Sequence, residues 1–277
     1  MIAKFRVILR SQKLIIICSL ILCMLFFIAI FAPWLAPHDP TAVNLAHKLQ
    51  SPSLNYPLGT DHLGRCTLSR ILFGARISLG FATLIFISSL CIGLIVGIIA
   101  GYKGGWIDQL LMRFGDGVMA FPSLLLVLGL VGIWGAGLKQ VVLALIFVQW
   151  VYYARVIRGI VLSLKEQNYI TAAKISGSSP VKIMIKHIIP NVLPPLAVMG
   201  TLEMGWAIMD LSSMSFLGLG VQAPTPEWGA MIHEGKSYIR TNPALMIYPG
   251  LMIMLVVVTF NLLGEALSER YGIKPRL

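Results

Sequence analysis

Two carboxylates, Glu203 and Asp210, interrupt an otherwise apolar run of the sequence, Leu193 to Leu219. Their spacing of seven residues places both near one face of a helix. A carboxylate inside a membrane costs about 2.5 kcal/mol or more on insertion scales, so such residues often serve a function. We predict that both acids line a translocation path. The alternatives are a buried, hydrogen-bonded position or a protonated acid.

The other residue types that carry chemistry form no catalytic constellation. His233-Glu234 is followed by Gly235-Lys236-Ser237, so there is no H-E-x-x-H motif, and no G-x-S-x-G elbow occurs. The stretch 229–237 resembles a P-loop but has five residues between its first Gly and its Gly-Lys pair, where a P-loop needs four. The histidines are scattered and the four cysteines form no C-x-x-C pair. The sequence predicts no catalytic residue, no metal site and no nucleotide site in this chain.

The composition is that of a membrane protein. Hydrophobic residues make up 57% of the 277 residues, charged residues only 12%, and the mean hydropathy is +0.83. A soluble domain carries about 25% charged residues. The net charge of +11 could indicate nucleic acid binding, but lysine and arginine also collect in the cytoplasmic loops of membrane proteins. We therefore predict contact with membrane lipid and none with nucleic acid.

Long apolar runs predict an all-α, polytopic transmembrane helical bundle of about six spans, because only helices and closed barrels cross lipid. The predicted division is a cytoplasmic N-terminal tail at 1–13, a first transmembrane helix at 14–32, an external segment at 33–76, and a core transmembrane domain at 77–277. The six runs are 14–31, 77–100, 118–138, 141–162, 193–219 and 244–263.

The distribution of positive charge predicts the orientation. If the N-terminus is inside, most of the 22 lysines and arginines fall in the inner segments, including Arg270, Lys274 and Arg276 near the C-terminus. The positive-inside rule then favours both termini in the cytoplasm. The same orientation places the basic stretch 163–190 on the cytoplasmic side.

Small residues on the second run predict close helix packing. Gly93, Gly97 and Gly101 form a G-x-x-x-G-x-x-x-G face. Glycines at this spacing let membrane helices approach closely. The neighbour could be another helix of this chain or a partner subunit.

The basic stretch 163–190 has the pattern of two short helices lying across the cytoplasmic surface. Ala172 and Ala173 favour a first helix, Gly177 ends it, and Ser179-Pro180 begins another, with Ile183 on its apolar face. An amphipathic helix can bind in the groove of a partner protein. The alternative is a helix lying on lipid.

This segment, which we call the coupling segment, resembles the "EAA" loop of ABC importer permeases, although Thr171 stands where that motif has Glu. The residues that match are Ala172, Ala173, Gly177, Ile183, His187, Ile188, Pro190 and Asn191. Two other stretches resemble the dipeptide/oligopeptide/nickel branch of that family. They are Leu58 to Arg76, where Cys66 replaces the usual Asp, and Ser215 to Gly229. The resemblance covers essentially the whole chain.

The resemblance implies a type I ABC importer permease, a transport subunit rather than an enzyme, in the bacterial inner membrane. It implies a homologous second permease, two ABC ATPase subunits that dock on the coupling segment and bind ATP and magnesium, and an extracytoplasmic solute-binding protein. The string Gln149 to Arg155, followed by Arg158, resembles a segment of nickel-type permeases, so the expected cargo is nickel or a metal chelate. Di- or oligopeptides are the alternative cargo. Two other classes stay open, namely an intramembrane enzyme using Glu203, Asp210 or His187, and a lipid-binding scaffold.

Overall fold

The computed structural model describes residues 2–271, and this part of the chain is helical and contains no β-strand. A π turn, Met184–Ile188, joins α7 to α8 without a break, and short 3-10 turns lie at Leu45–His47 and Lys236–Tyr238. The helices are α1 Ile2–Leu35, α2 Thr67–Lys103, α3 Gly105–Met119, α4 Ser123–Trp134, α5 Leu138–Lys165, α6 Asn168–Ile175, α7 Pro180–Ile183, α8 Ile189–Phe216, α9 Trp228–Gly235 and α10 Ala244–Tyr271.

Within the described residues, five helices are long and apolar enough to cross a membrane. They are Ser11–Leu35 of α1, α2, α5, the continuous stretch Pro180–Phe216, and Ala244–Arg270 of α10. The pair α3 and α4 also passes this test jointly, but its helices are bent by 87°. Counting the bent pair as one broken crossing gives the six predicted spans.

The prediction of a single helix over 118–138 is wrong in its local geometry. α3 ends at Met119, and Pro122 stands at the N-cap of α4. Proline lacks a backbone N–H and disfavours the α conformation in the preceding residue, which explains the break at this point. Because the residues on both sides are apolar, hydropathy alone did not reveal the bend.

The helix ends do not coincide with the predicted segment boundaries. The predicted N-terminal tail at 1–13 is helical from Ile2 and continuous with α1, and the last residues of the predicted external segment, from Thr67 onward, belong to α2. The second helix of the coupling segment is not separate, since it runs through the π turn into α8. Met1 and residues 272–277, which include two of the basic residues used for orientation, lie outside the described residues.

α2 is the central helix of the bundle, and it packs most extensively against α5. The core contains Leu25 of α1, Leu79 and Ile85 of α2, Leu145 of α5 and Ile208 of α8, all nearly inaccessible to solvent. The bundle has two ends. The loop end holds the segment between α1 and α2 together with α9, and the coupling end holds α6 and α7. Lipid is as apolar as these side chains, so close packing rather than burial from water holds such helices together.

Candidate translocation and coupling sites

The structure brings Glu203 and Asp210 into one cavity of about 450 Å³, which we call the carboxylate cavity. The amide nitrogen of Gln149 donates a hydrogen bond to Oδ2 of Asp210 at 2.9 Å. The remaining walls come from Val148 and Tyr152 of α5, from Trp206 of α8, and from the junction of α3 and α4. That junction contributes Val118, Met119, Phe121 and Ser123. Two carboxylates, an amide, a phenol and an indole can together accommodate a cationic or strongly polar group.

His187 does not join this cavity. It lies in the π turn at the coupling end, sixteen residues before Glu203 on a continuous helix. At 1.5 Å per residue the two residues are separated by about 24 Å along the helix axis. An enzyme that uses His187 together with Glu203 or Asp210 therefore has no geometric basis.

The predicted glycine face contacts α5 of the same chain. A Cβ atom added at Gly97 would lie 2.6 Å from the carbonyl oxygen of Ala154 and 2.8 Å from Cβ of Ile157. One added at Gly101 would lie 2.8 Å from Cβ of Val161, and one at Gly93 would lie 2.9 Å from the carbonyl oxygen of Trp150. The three glycines therefore allow the close approach of α2 and α5.

Gly97→Ala is expected to destabilise the chain by about 1–3 kcal/mol, because the new methyl group overlaps α5 backbone that cannot rotate away. Gly80 offers a matched control on the same helix, since nothing lies within 4 Å of a Cβ added there. Gly80→Ala should stabilise α2 by about 0.5–1 kcal/mol. Thermal unfolding in detergent measures both changes. Equal midpoints for the two variants would contradict the packing described.

The string Gln149 to Arg155 with Arg158, on which the nickel prediction drew, mostly holds α3 against α5. The Trp150 ring stacks on Phe114 with centroids 6.1 Å apart. Arg158 makes two hydrogen bonds to Asp108, at 2.5 and 2.6 Å, and Arg155 pairs with Asp116. From this string Gln149 and Tyr152 line the carboxylate cavity. Most of the nickel-type string therefore has a structural explanation, and these two residues could meet a cargo.

The coupling segment folds as a helix, a turn and a second helix start. Gly177 has φ +74°, a conformation that favours glycine, and its N–H donates to the carbonyl oxygen of Lys174 at 3.0 Å, which ends α6. Ser179 caps α7 by accepting from the N–H of Lys182. The carbonyl oxygen of His187, in the π turn that follows, accepts a hydrogen bond from the side-chain amide of Asn191 in α8 at 2.7 Å.

The inner side of the coupling segment is anchored to the bundle. Ile170, Ile183 and Ile188 are fully buried in a cluster with Ile157 and Val161 of α5. Its other predicted residues lie nearer the surface: Ala172, Gly177 and Pro190 are exposed, and Ala173 and His187 are half-buried. Four large side chains also point away from the chain, and we call them the docking face: Tyr169, Ile175, Val181 and Ile185.

A buried ion network ties the loop end together. Arg65 pairs with Asp61 at 2.5 Å and with Glu234 of α9 at 2.6 Å. Arg70 of α2 pairs with the same two acids at 3.5 and 3.0 Å. Both arginine side chains are only 1% exposed. These four residues, the ion network, join the Leu58–Arg76 motif to α9.

Asp61, His62 and Glu234 also lie close enough together to be considered as cation ligands. However, both oxygens of Asp61 already accept hydrogen bonds, from two backbone N–H groups and from the Arg65 guanidinium. Oε2 of Glu234 accepts from Arg65 and Arg70. Two guanidinium groups at the carboxylates oppose a cation, so this cluster fits an ion network and not a metal site.

Glu227 forms a second buried link at the loop end. Its carboxylate caps α9 by accepting from the N–H groups of Gly229 and Ala230, at 3.0 and 2.9 Å, and it also accepts from Ser78 of α2 at 2.9 Å. The neighbouring Trp228 donates its indole N–H to the carbonyl oxygen of Ile71. The P-loop-like stretch that begins at Gly229 is therefore helix α9, packed against α2 and α8.

The pattern of helices and motifs matches a known protein family. The family described as the binding-protein-dependent transport system inner membrane component matches residues 93–273. The chain belongs to this family of ABC importer permeases. The N-terminal TM domain of oligopeptide transport permease C matches residues 3–52. The permease is accordingly a multi-pass protein of the bacterial inner membrane, in a family that is not enzymatic.

Permeases with similar sequences are named for different cargoes. The permease is 40% identical to the nickel transport system permease protein NikC of Escherichia coli K12, over 94% of each chain. It is also 40% identical to the dipeptide transport system permease protein DppC of Alkalihalophilus pseudofirmus, over 94% of this chain and 86% of that one. The glutathione transport system permease protein GsiD of Escherichia coli O6:K15:H31 is 39% identical with the same coverage. The permease is thus a subunit of the nickel/peptide/glutathione family of importers.

The fold also matches a solved ABC importer. The inward-facing MetNI methionine ABC transporter aligns with a TM-score of 0.60, over 75% of this chain and 98% of that chain. The sequence identity is 17%, so the likeness concerns the fold alone. It identifies the bundle as the type I importer fold.

Proposed function

We propose that the permease carries nickel or a cationic metal chelate across the membrane through the carboxylate cavity. The observation that carries this proposal is the pair of acids, Glu203 and Asp210, which lie on a helix long and apolar enough to cross a membrane and share one cavity with Gln149. A carboxylate facing lipid is costly, so the open side of the cavity needs a polar cargo or a protein partner. Di- or oligopeptides are the second candidate, because the same two acids would suit a peptide's amino terminus.

The energy source in this proposal is a pair of separate ATPase subunits that bind ATP and magnesium. Their binding surface is the docking face, where Ile175 is 82% exposed and Ile185 is 62% exposed although both are apolar. A homologous permease covers the carboxylate cavity, and a solute-binding protein delivers the cargo from outside. Closure of the ATPases moves the coupling segment, and the bundle then switches between inward- and outward-open states by rigid-body motion.

The proposed orientation has the coupling end in the cytoplasm and the loop end outside. After the four native cysteines are replaced, a single cysteine at Asn44 should react with an impermeant thiol reagent in intact cells. A cysteine at Lys174 should react only after the cells are opened. Both positions are exposed, so accessibility within the chain does not bias the comparison. The reverse labelling pattern would overturn the orientation.

The cargo is tested by uptake of radioactive nickel and of a radiolabelled dipeptide into cells that lack or express the permease. We expect expression to restore nickel uptake from metal-poor medium. Glu203→Gln removes one of the two negative charges that a cationic cargo would meet in the cavity. It should reduce that uptake at least about tenfold, which corresponds to a loss of about 1.4 kcal/mol of binding. Glu269→Gln, an exposed acid at the end of α10, is the matched control and should have no effect. Dipeptide uptake with unchanged nickel uptake would establish the peptide alternative.

A further inference from the structure

One ion pair links the coupling end of α5 to the helix that leads to the carboxylate cavity. Both carboxylate oxygens of Asp108 in α3 accept from the guanidinium of Arg158 in α5, at 2.5 and 2.6 Å. The Asp108 side chain is 13% exposed and the Arg158 side chain is 32% exposed, so the pair is half-buried. Bidentate arginine–carboxylate pairs are the strongest and most directional of their kind. The second pair between these helices, Arg155 with Asp116, is a single contact between exposed groups.

Arg158 lies among residues of α5 that pack against the coupling segment. Ile157, the residue before Arg158, and Val161, in the following turn, pack with Ile170 and Ile183 of the coupling segment. α5 ends at Lys165, and α6 begins only three residues later at Asn168. A displacement of the coupling segment therefore reaches Arg158 through close-packed side chains.

The Asp108 end of the link leads to the cavity wall. α3 runs from Gly105 to Met119, and its last two residues, Val118 and Met119, line the carboxylate cavity together with Phe121 of the bend and Ser123 at the start of α4. α3 itself is lightly packed, since only Gly115 and Val118 of its residues are buried. The ion pair is thus the strongest directional contact that fixes this helix relative to α5.

We propose that Asp108 and Arg158 are positioning residues that make α3 follow the coupling segment, so that the cavity wall moves when the ATPases close. Neither residue lines the carboxylate cavity, so the pair acts through α3 and the bend at Pro122. This inference rests on the proposed docking of ATPases at the coupling segment.

The test follows α3 in the whole complex with spin labels, without needing the cargo. In a background without the native cysteines, labels are placed at the exposed positions Leu110 of α3 and Leu251 of α10. Their distance is measured without nucleotide and after trapping with ATP and vanadate. A second labelled pair, Ser176 and Leu251, reports the motion of the coupling segment itself.

We expect trapping to shift both distances when the ion pair is intact. In Arg158→Gln and in Asp108→Asn the Ser176 shift should persist while the Leu110 shift is lost. The double exchange Asp108→Arg with Arg158→Asp should restore it, and Arg155→Gln should retain it. An unchanged Leu110 shift in Arg158→Gln, or none with the pair intact, would overturn the inference. Failure of the ATPases to bind, or of Ser176 to move, would instead refute the proposed docking.

Discussion

Arg65→Met is expected to prevent most of the chain from accumulating in a folded form. The substitution leaves the buried carboxylate of Asp61 without its closest partner and removes one of the two guanidinium groups on Glu234. Breaking a buried pair by removing one partner costs about 3–5 kcal/mol. That is a large share of a typical total stability of about 5–15 kcal/mol. The folded yield and the midpoint of thermal unfolding in detergent measure the effect.

Lys48→Met is the matched control, because it removes one positive charge from the same segment at an exposed position. It should change the unfolding midpoint little, since exposed charges contribute about 0–1 kcal/mol. Arg65→Lys should recover only part of the loss, because an ammonium group cannot make the planar contacts to two acids. If Arg65→Met and Lys48→Met unfold at the same temperature, the ion network does not stabilise the loop end as described.

Ile175→Glu is expected to abolish both ATPase binding and cargo uptake while the chain itself stays folded. Ile175 is 82% exposed, so the permease loses almost no folding stability when this side chain becomes charged. In a docked complex the same carboxylate would be buried without a partner, which costs several kcal/mol. Each 1.4 kcal/mol lowers the affinity about tenfold, so binding should fall by a factor of about 100 or more. Copurification of the ATPases and uptake into cells are the two measurements.

The control for this variant is Leu45→Glu, which introduces the same charge at an exposed apolar side chain of the loop end. It should leave ATPase copurification intact. Normal ATPase binding by a well-folded Ile175→Glu chain would show that the docking face lies elsewhere.

The local signals of the sequence predicted the coupling segment well. Gly177 supplies the left-handed conformation that ends α6, and Ser179 followed by Pro180 starts the next helix, as expected from capping preferences. The predicted separation of that helix from α8 was wrong. A π turn continues the hydrogen-bonded helix across Met184–Ile188, and the side chain of Asn191 supports it.

The contacts between distant parts of the chain could not be predicted in the same way. Arg65 and Glu234 are separated by 169 residues, and neither motif indicates its partner. The role of Glu227 was missed for the same reason, since its Ser78 partner comes from α2. The available signal was the presence of arginines in a short motif next to a span, because a charge that becomes buried there requires a partner. The bend at Pro122 was hidden by the apolar residues on both sides of it.

The most direct test of the central assignment is the subunit composition of the complex isolated through this chain. A tag on the permease, purification from the host membrane under mild detergent, and native mass spectrometry give the composition. We expect one homologous permease and two ATPase chains for each copy of this permease, with ATP hydrolysis that disappears when the ATPases are removed. Isolation of the permease alone from membranes that contain those ATPases, or ATP hydrolysis by the isolated permease, would contradict it.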